Sequence, residues 1–247
     1  MSKIKLAIGL RVYEKTREAL ALKMRFLENI PWNVVSKVFV AVNVEKDKSG
    51  ALEYFNVVLA DPRIEAFPVQ PWFKIGIPAL DAIVHKATAE QFSHIWFVST
   101  RLVLNQEITE RLIRELDNKT LVVGTVMPGH WLPGANLVAG DGGTCPYNTC
   151  AIWNLGYLHR TGFLPISEMP TNLEMAGNEE IVVITLQQQL FTNKAKLVLV
   201  PGIKSQTDHW DDERKERHDY LVSSKKVRSE TQLNMLSLNQ AKIIHIC

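Results

Sequence analysis

Apolar residues along this chain fall into two alternating rhythms. Lys3 to Gly9 (KIKLAIG) reads as a strand, and from Thr16 to Asn29 the residues Leu20, Met24 and Leu27 recur at i, i+4 and i+7, which predicts a helix stopped by Pro31. Val35 to Val44 is a β-branched run and a second strand. Between Gly76 and Glu90, Leu80, Ile83, Val84 and Ala87 form one continuous stripe, the mark of a helix with a single buried face. His94 to Val98 (HIWFV) is short and almost wholly apolar, as in strands covered on both sides. Ile108, Leu112 and Leu116 then mark another helix, and Leu121 to Val126 another strand.

Such alternation predicts parallel strands joined by crossover helices, because parallel neighbours cannot be linked by a tight hairpin. The expected fold is α/β: one domain with an open, mostly parallel sheet flanked by helices. The rhythm lapses from Pro128 to Thr149, where glycines at 129, 134, 140, 142 and 143 predict a long irregular segment of the kind that tends to carry function. A helix from Leu155 to Thr161 ending at Gly162, another over Glu179 to Leu190, and a late strand at Lys196 to Val200 follow. Residues 1–210 make the expected main domain. Residues 211–247 make a polar, basic tail packed on it, closing in the apolar piece Ile243-Ile244-His245-Ile246.

With 46% apolar and 22% charged residues in 247, the chain can bury a core. Its net charge of +2 leaves no whole-chain footprint for nucleic acid or anionic membrane. Arg214 to Arg228 is locally basic, with six cations against Glu216 and Asp219, and reads as a solvated helix face; contact with a polyanion, nucleic acid included, is the sharper alternative. No run reaches the roughly 18 apolar residues of a membrane span and no cleavable leader is read, so a cytoplasmic protein is expected. Cys145, Cys150 and Cys247 fit neither a zinc ribbon nor a CxxC pair and are expected to be reduced thiols.

The sequence lacks GxGxxG after the first strand, GxxxxGK[ST], HExxH and GxSxG, which removes the main support for dinucleotide redox chemistry, P-loop phosphoryl transfer, zinc proteolysis and the hydrolase elbow. Candidate chemistry therefore sits at strand ends, where an open α/β sheet receives its ligands. Four places qualify: Gly9 to Tyr13, Asn43 to Ser49, Ser99 to Arg101, and the helix start at Asn178. Glu179 and Glu180 open a helix behind Asn178, a residue suited to N-capping.

The order of these segments resembles that of nucleotide-sugar glycosyltransferases of the GT-A fold, in particular the large inverting, family-2-like group. VFVAVNVEKDKSG is similar to the strand and acidic turn that hold the nucleoside, FKIGIPALDAIVHKA to the glycine-containing helix, HIWFVSTRLVLNQEITERLIREL to the strand, metal turn and helix, CAIWNLGYLHRTGFLPISE to the segment before the acceptor site, and AGNEEIVVITLQQQL to the acidic helix start. The resemblance implies transfer of a sugar from a nucleoside-diphosphate donor to a hydroxyl acceptor. It assigns Arg11, Asn43, Glu45, Lys74, Gly76, Ser99, Thr100 and Arg101 to the donor, Trp131 and Trp153 to the acceptor, and Glu180, with Glu179 second, to the general base. His209, in KLVLVPGIKSQTDH, matches a histidine near the diphosphate. Where the family has aspartates holding Mn or Mg, this chain has Ser99-Thr100-Arg101; no cofactor is assigned, a divalent cation stays open as the family's own solution, and Arg101 is the candidate substitute, its guanidinium able to grip phosphate oxygens as a bidentate fork. A catalytically silent binding module and a nucleotidyltransferase-like enzyme are the alternatives.

Overall fold

The computed structural model describes residues 4–132, 134, 136–169, 172–200 and 212–246. Nine strands form one sheet in the order β3-β2-β1-β4-β7-β5-β8-β9-β6. They are β1 (Leu6–Val12), β2 (Val35–Asn43), β3 (Ile64–Val69), β4 (His94–Val98), β5 (Thr120–Thr125), β6 (Leu137–Ala139), β7 (Cys150–Asn154), β8 (Lys194–Val198) and β9 (Lys242–Ile246). The helices are α1 (Arg17–Met24), α2 (Ala51–Glu53, continued by a π-helical stretch Tyr54–Leu59), α3 (Ile77–Ala89), α4 (Gln106–Arg114), α5 (Leu155–Leu158), α6 (Glu179–Leu190), α7 (Asp212–Ser223) and α8 (Lys225–Met235). No helix among the described residues is long and apolar enough to cross a membrane.

The expected α/β class holds. β1 pairs in parallel with β2 and β4, β2 with β3, and β5 with β8, each through a crossover too long for a hairpin. β4 and β5 are buried along their whole lengths, as their unbroken apolar runs require. The helix expected over 16–29 is α-helical only to Met24 and tightens into a 3₁₀ turn, Arg25–Asn29, ahead of Pro31.

Two features depart from the sequence reading. β7 enters antiparallel between β4 and β5, so strands consecutive in the rhythm are not neighbours in the sheet. Residues 211–247, expected to be a polar tail packed on the domain, contain α7, α8 and β9, and β9 joins the sheet, pairing in parallel with β8 and antiparallel with β6, a short strand inside the glycine-rich segment. Both β7 and β9 are short and pair over long sequence separations, which local periodicity does not report.

The first four parallel strands point their carboxyl ends to the same edge. β1 and β4 end side by side there, and the chain leaves each into a polar turn. α3 begins at the same edge, and its cap is made at a distance. Gly76 occupies the N-cap position at φ +83° without a side-chain bond, and the Glu168 carboxylate accepts from the backbone N–H groups of Lys74, Ile75 and Ile77 at 2.9, 2.8 and 2.7 Å.

Candidate functional site

A cleft of about 790 Å³ lies at the carboxyl ends of β1 and β4. Gly9, Arg11 and Tyr13 form one wall and Val98 to Arg101 the other, with Trp72, Lys74 and Ile75 along the rim and Asn148 and Thr149 at the back. The turn after β4 is pinned: Ser99 N–H donates to Thr149 O at 2.8 Å, Leu102 N–H to Ser99 O at 3.0 Å, and Arg101 N–H to Ser99 Oγ at 3.3 Å. The loops after β1 and β2 are tied by Asp47, whose Oδ1 accepts from Glu14 N–H at 2.9 Å and whose Oδ2 accepts from Ala51 N–H at 3.1 Å.

Among the described residues the lining carries five cationic side chains, Arg11, Lys15, Lys23, Lys74 and Arg101, against a single carboxylate, Glu14, which is ion-paired to Lys23. Opposed cationic walls concentrate positive potential in a concave site and suit it to a polyanion. Arg11 is aimed by two contacts: Nη1 donates to Ile75 O at 2.6 Å, and Nη2 lies 3.9 Å from Glu179 Oε1. Tyr13 is half-exposed and meets Trp72 edge-on, with ring centroids 6.2 Å apart.

Of the residues expected to bind a donor, Arg11, Lys74, Ser99, Thr100 and Arg101 all line this one cleft, with Gly76 just behind it. Asn43 and Glu45 do not. Asn43 is fully buried and its Oδ1 accepts from the Glu45 and Lys46 N–H groups at 3.0 and 3.2 Å, so it caps its own turn, and Glu45 projects into solvent away from the cleft lining. Trp153 is corrected outright: it is a core residue of β7 with no exposed face, and its Nε1–H donates to Asn148 Oδ1 at 2.9 Å. Trp131 is 64% exposed but outside the cleft lining. His209 lies outside the described residues.

Glu179 and Glu180 stand in the first turn of α6, buried, one layer behind the cleft wall. Asn148, which lines the cleft, donates its backbone N–H to Glu180 Oε1 at 2.6 Å and its Nδ2 to Glu179 Oε1 at 3.2 Å. Burial, reinforced by the neighbouring Glu179 charge, pushes the Glu180 carboxyl well above the usual carboxylate range. Asn178 does not cap this helix as expected. It adopts φ +60° and its Nδ2 donates to Lys225 O at 2.8 Å, which ties the start of α6 to the start of α8.

The basic 214–228 segment also reads differently in part. Lys225 is largely buried, with Nζ 3.2 Å from the Tyr147 ring centroid, and burial lowers its ammonium below the ordinary range. Arg228 is 3% exposed; its guanidinium donates to Ser224 Oγ and to the carbonyls of Ala176 and Leu221. Both are interior cations facing the Glu179–Glu180 pair, not solvated ones. His130 stacks on Tyr147 at 3.7 Å between ring centroids and is held neutral: Nδ1 accepts from Met127 N–H at 2.7 Å and Nε2–H donates to Cys145 O at 2.7 Å. Cys145 and Cys150 are free, buried thiols, each pushed upward by burial.

No group of three His, Cys, Asp or Glu side chains converges among the described residues, and the turn after β4 presents Ser99, Thr100 and Arg101 to the cleft.

No protein-family model and no curated protein matches the chain. Solved structures do. A mannosyltransferase from Pyrobaculum calidifontis, in complex with GDP-Man and Mn2+, superposes with a TM-score of 0.66 at 10% identity over 96% of this chain and 65% of its own. S. aureus TarS 1-349 gives 0.53 at 12% identity over 82% and 59%. Glucosyl-3-phosphoglycerate synthase from Mycobacterium tuberculosis, in complex with Mn2+, uridine-diphosphate and phosphoglyceric acid, gives 0.55 at 11% over 93% and 78%. The chain thus spans about two thirds or less of the first two. These superpositions and the sheet show that the chain has the GT-A fold of nucleotide-sugar glycosyltransferases.

Proposed function

We propose that the chain is an enzyme that transfers a sugar from a nucleoside-diphosphate donor to a hydroxyl acceptor, with arginine and lysine in place of a metal ion at the diphosphate. The observation that carries this reading is the cleft at the β1 and β4 ends of a GT-A sheet, lined, among the described residues, by five cations and one carboxylate. Arg101 and Arg11, from opposite walls, grip the diphosphate and offset the charge that grows on it as the glycosidic bond breaks. Tyr13, beside Trp72, supplies a flat face for the base. Glu180 takes the acceptor hydroxyl proton: its raised pKa suits a base working near neutrality, and Asn148 links it to the cleft.

A second reading, a binding module that keeps the cleft without turnover, is favoured by the burial of Glu179 and Glu180 behind the wall. Calorimetry with a panel of nucleoside diphosphates and their sugars, with manganese or with chelator, tests both. Selective binding by one nucleotide, unchanged by chelator and weakened about 10- to 100-fold in Arg101→Ala, is expected. Absence of binding across the panel, or binding that requires manganese, overturns the proposal. Binding with neither donor hydrolysis nor transfer selects the silent module.

A further inference from the structure

A second cavity, of about 990 Å³, opens on the other side of the Lys74 loop from the cleft, between that loop, the first turns of α3 and the Pro165–Glu168 turn. We propose that it is a binding site for a flat apolar molecule carrying an acidic group and a hydrogen-bond donor.

Three lining side chains, Phe73, Lys46 and Asp81, each keep a face or an atom that no described residue engages, and each asks for a different part of such a molecule. Phe73 is 57% exposed at φ +59°, a backbone region that a bulky L-residue rarely occupies, and its ring meets no other ring and no cation. Together with Ile77, Pro78 and Pro165 it forms apolar walls, and an uncovered aromatic face held in a strained backbone suits stacking on a planar ligand. Lys46 is exposed on the lining and its Nζ forms no ion pair or hydrogen bond there, so it offers a cation to an acidic group. Asp81 is the third. Its Oδ1 accepts from Phe163 N–H at 2.7 Å, its Oδ2 has no partner, and burial raises its carboxyl to about 6. A carboxyl so placed receives an O–H or N–H from the ligand.

The other acid on the lining, Glu168, is taken up by three backbone N–H groups and is not available. A mainly apolar cavity with a few convergent polar groups has the build of a small-molecule site. Lys74 lines both this cavity and the cleft, so the two sites share a wall.

Anilinonaphthalene sulfonate has this chemistry: fused rings, a sulfonate and an N–H. Titrated into the full chain at neutral pH and followed by fluorescence, it is expected to bind saturably at one site. Phe73→Ser and Lys46→Glu, both at exposed positions, are each expected to weaken binding at least about 10-fold with an unchanged melting temperature. A saturating nucleoside diphosphate should leave the probe bound. Non-saturable binding, insensitivity to both variants, or displacement by nucleotide overturns the proposal. None of these readings depends on catalysis, so a failure here is distinct from a failure of sugar transfer.

Discussion

The Asn148 backbone N–H donates to Glu180 Oε1 across 2.6 Å, so a residue on the cleft surface is bonded to a carboxylate in the interior. The same asparagine reaches Glu179 through Nδ2 and is itself oriented by Trp153. If Glu180 is the proton acceptor, Glu180→Gln keeps the hydrogen bond but not the basicity. Transfer is expected to fall by about 100-fold or more while the nucleotide dissociation constant changes little. Equal losses in both would assign the residue to folding of the cleft wall instead.

Glu168 acts on the cleft from the opposite side. Its carboxylate holds three N–H groups of residues 74–77, two of which belong to the cleft lining. Glu168→Ala leaves these donors without their acceptor and is expected to cost roughly 3 kcal/mol in denaturant unfolding. Glu168→Gln, which keeps an acceptor oxygen, should recover a large part of it.

Gly76 has two reasons to be glycine. Its φ is +83°, and a Cβ there would stand 2.9 Å from Trp72 Nε1. Gly76→Ala is expected to destabilise the fold by about 1–3 kcal/mol and to weaken nucleotide binding, since Trp72 forms part of the cleft. Unfolding curves and calorimetry on the same variant separate the two effects.

His94 is buried and His130 partly so, and desolvation depresses each to about 4, against an ordinary 6.5. Between pH 6.5 and 4 the unfolded chain binds these protons and the folded one does not. Each histidine therefore lowers stability as the pH falls, at about 1.4 kcal/mol per pH unit. Asp81, raised to about 6 from 3.8, acts in the opposite sense between pH 3.8 and 6, so the wild-type slope is a compromise. His130→Asn should lose stability relative to wild type at pH 7 and regain ground at pH 5; a constant difference over that range would contradict the assignment.

Much of the first half was legible because its strands are buried on both faces and its helices carry one stripe. β4 and α6 lie where the apolar runs put them, and α3 within a residue at each end. β3 was not read: IEAFPV is short and contains Pro68, which is accommodated on the outermost strand of the sheet. At the site, five expected donor residues meet in one cleft because four sit at the ends of β1 and β4 and Lys74 lies in the turn that opens α3 at the same edge, which sequence order reveals. Asn148, Glu168, Lys225 and Arg228 were missed. Asn148 meets two side-chain carboxylates, Glu168 and Arg228 meet backbone groups and Lys225 a ring, all far along the chain, and nothing local distinguishes such a residue from a turn asparagine or a surface charge.

β4 and β5 follow one another in the chain yet are held apart by β7. During synthesis the two halves of the sheet therefore have no hydrogen bonds to share until residue 154 has left the ribosome. The last strand added to the middle of the sheet is the one that carries Trp153, and Asn148 stands just ahead of it. Joining the halves and finishing the wall of the cleft are thus one event in the life of the nascent chain.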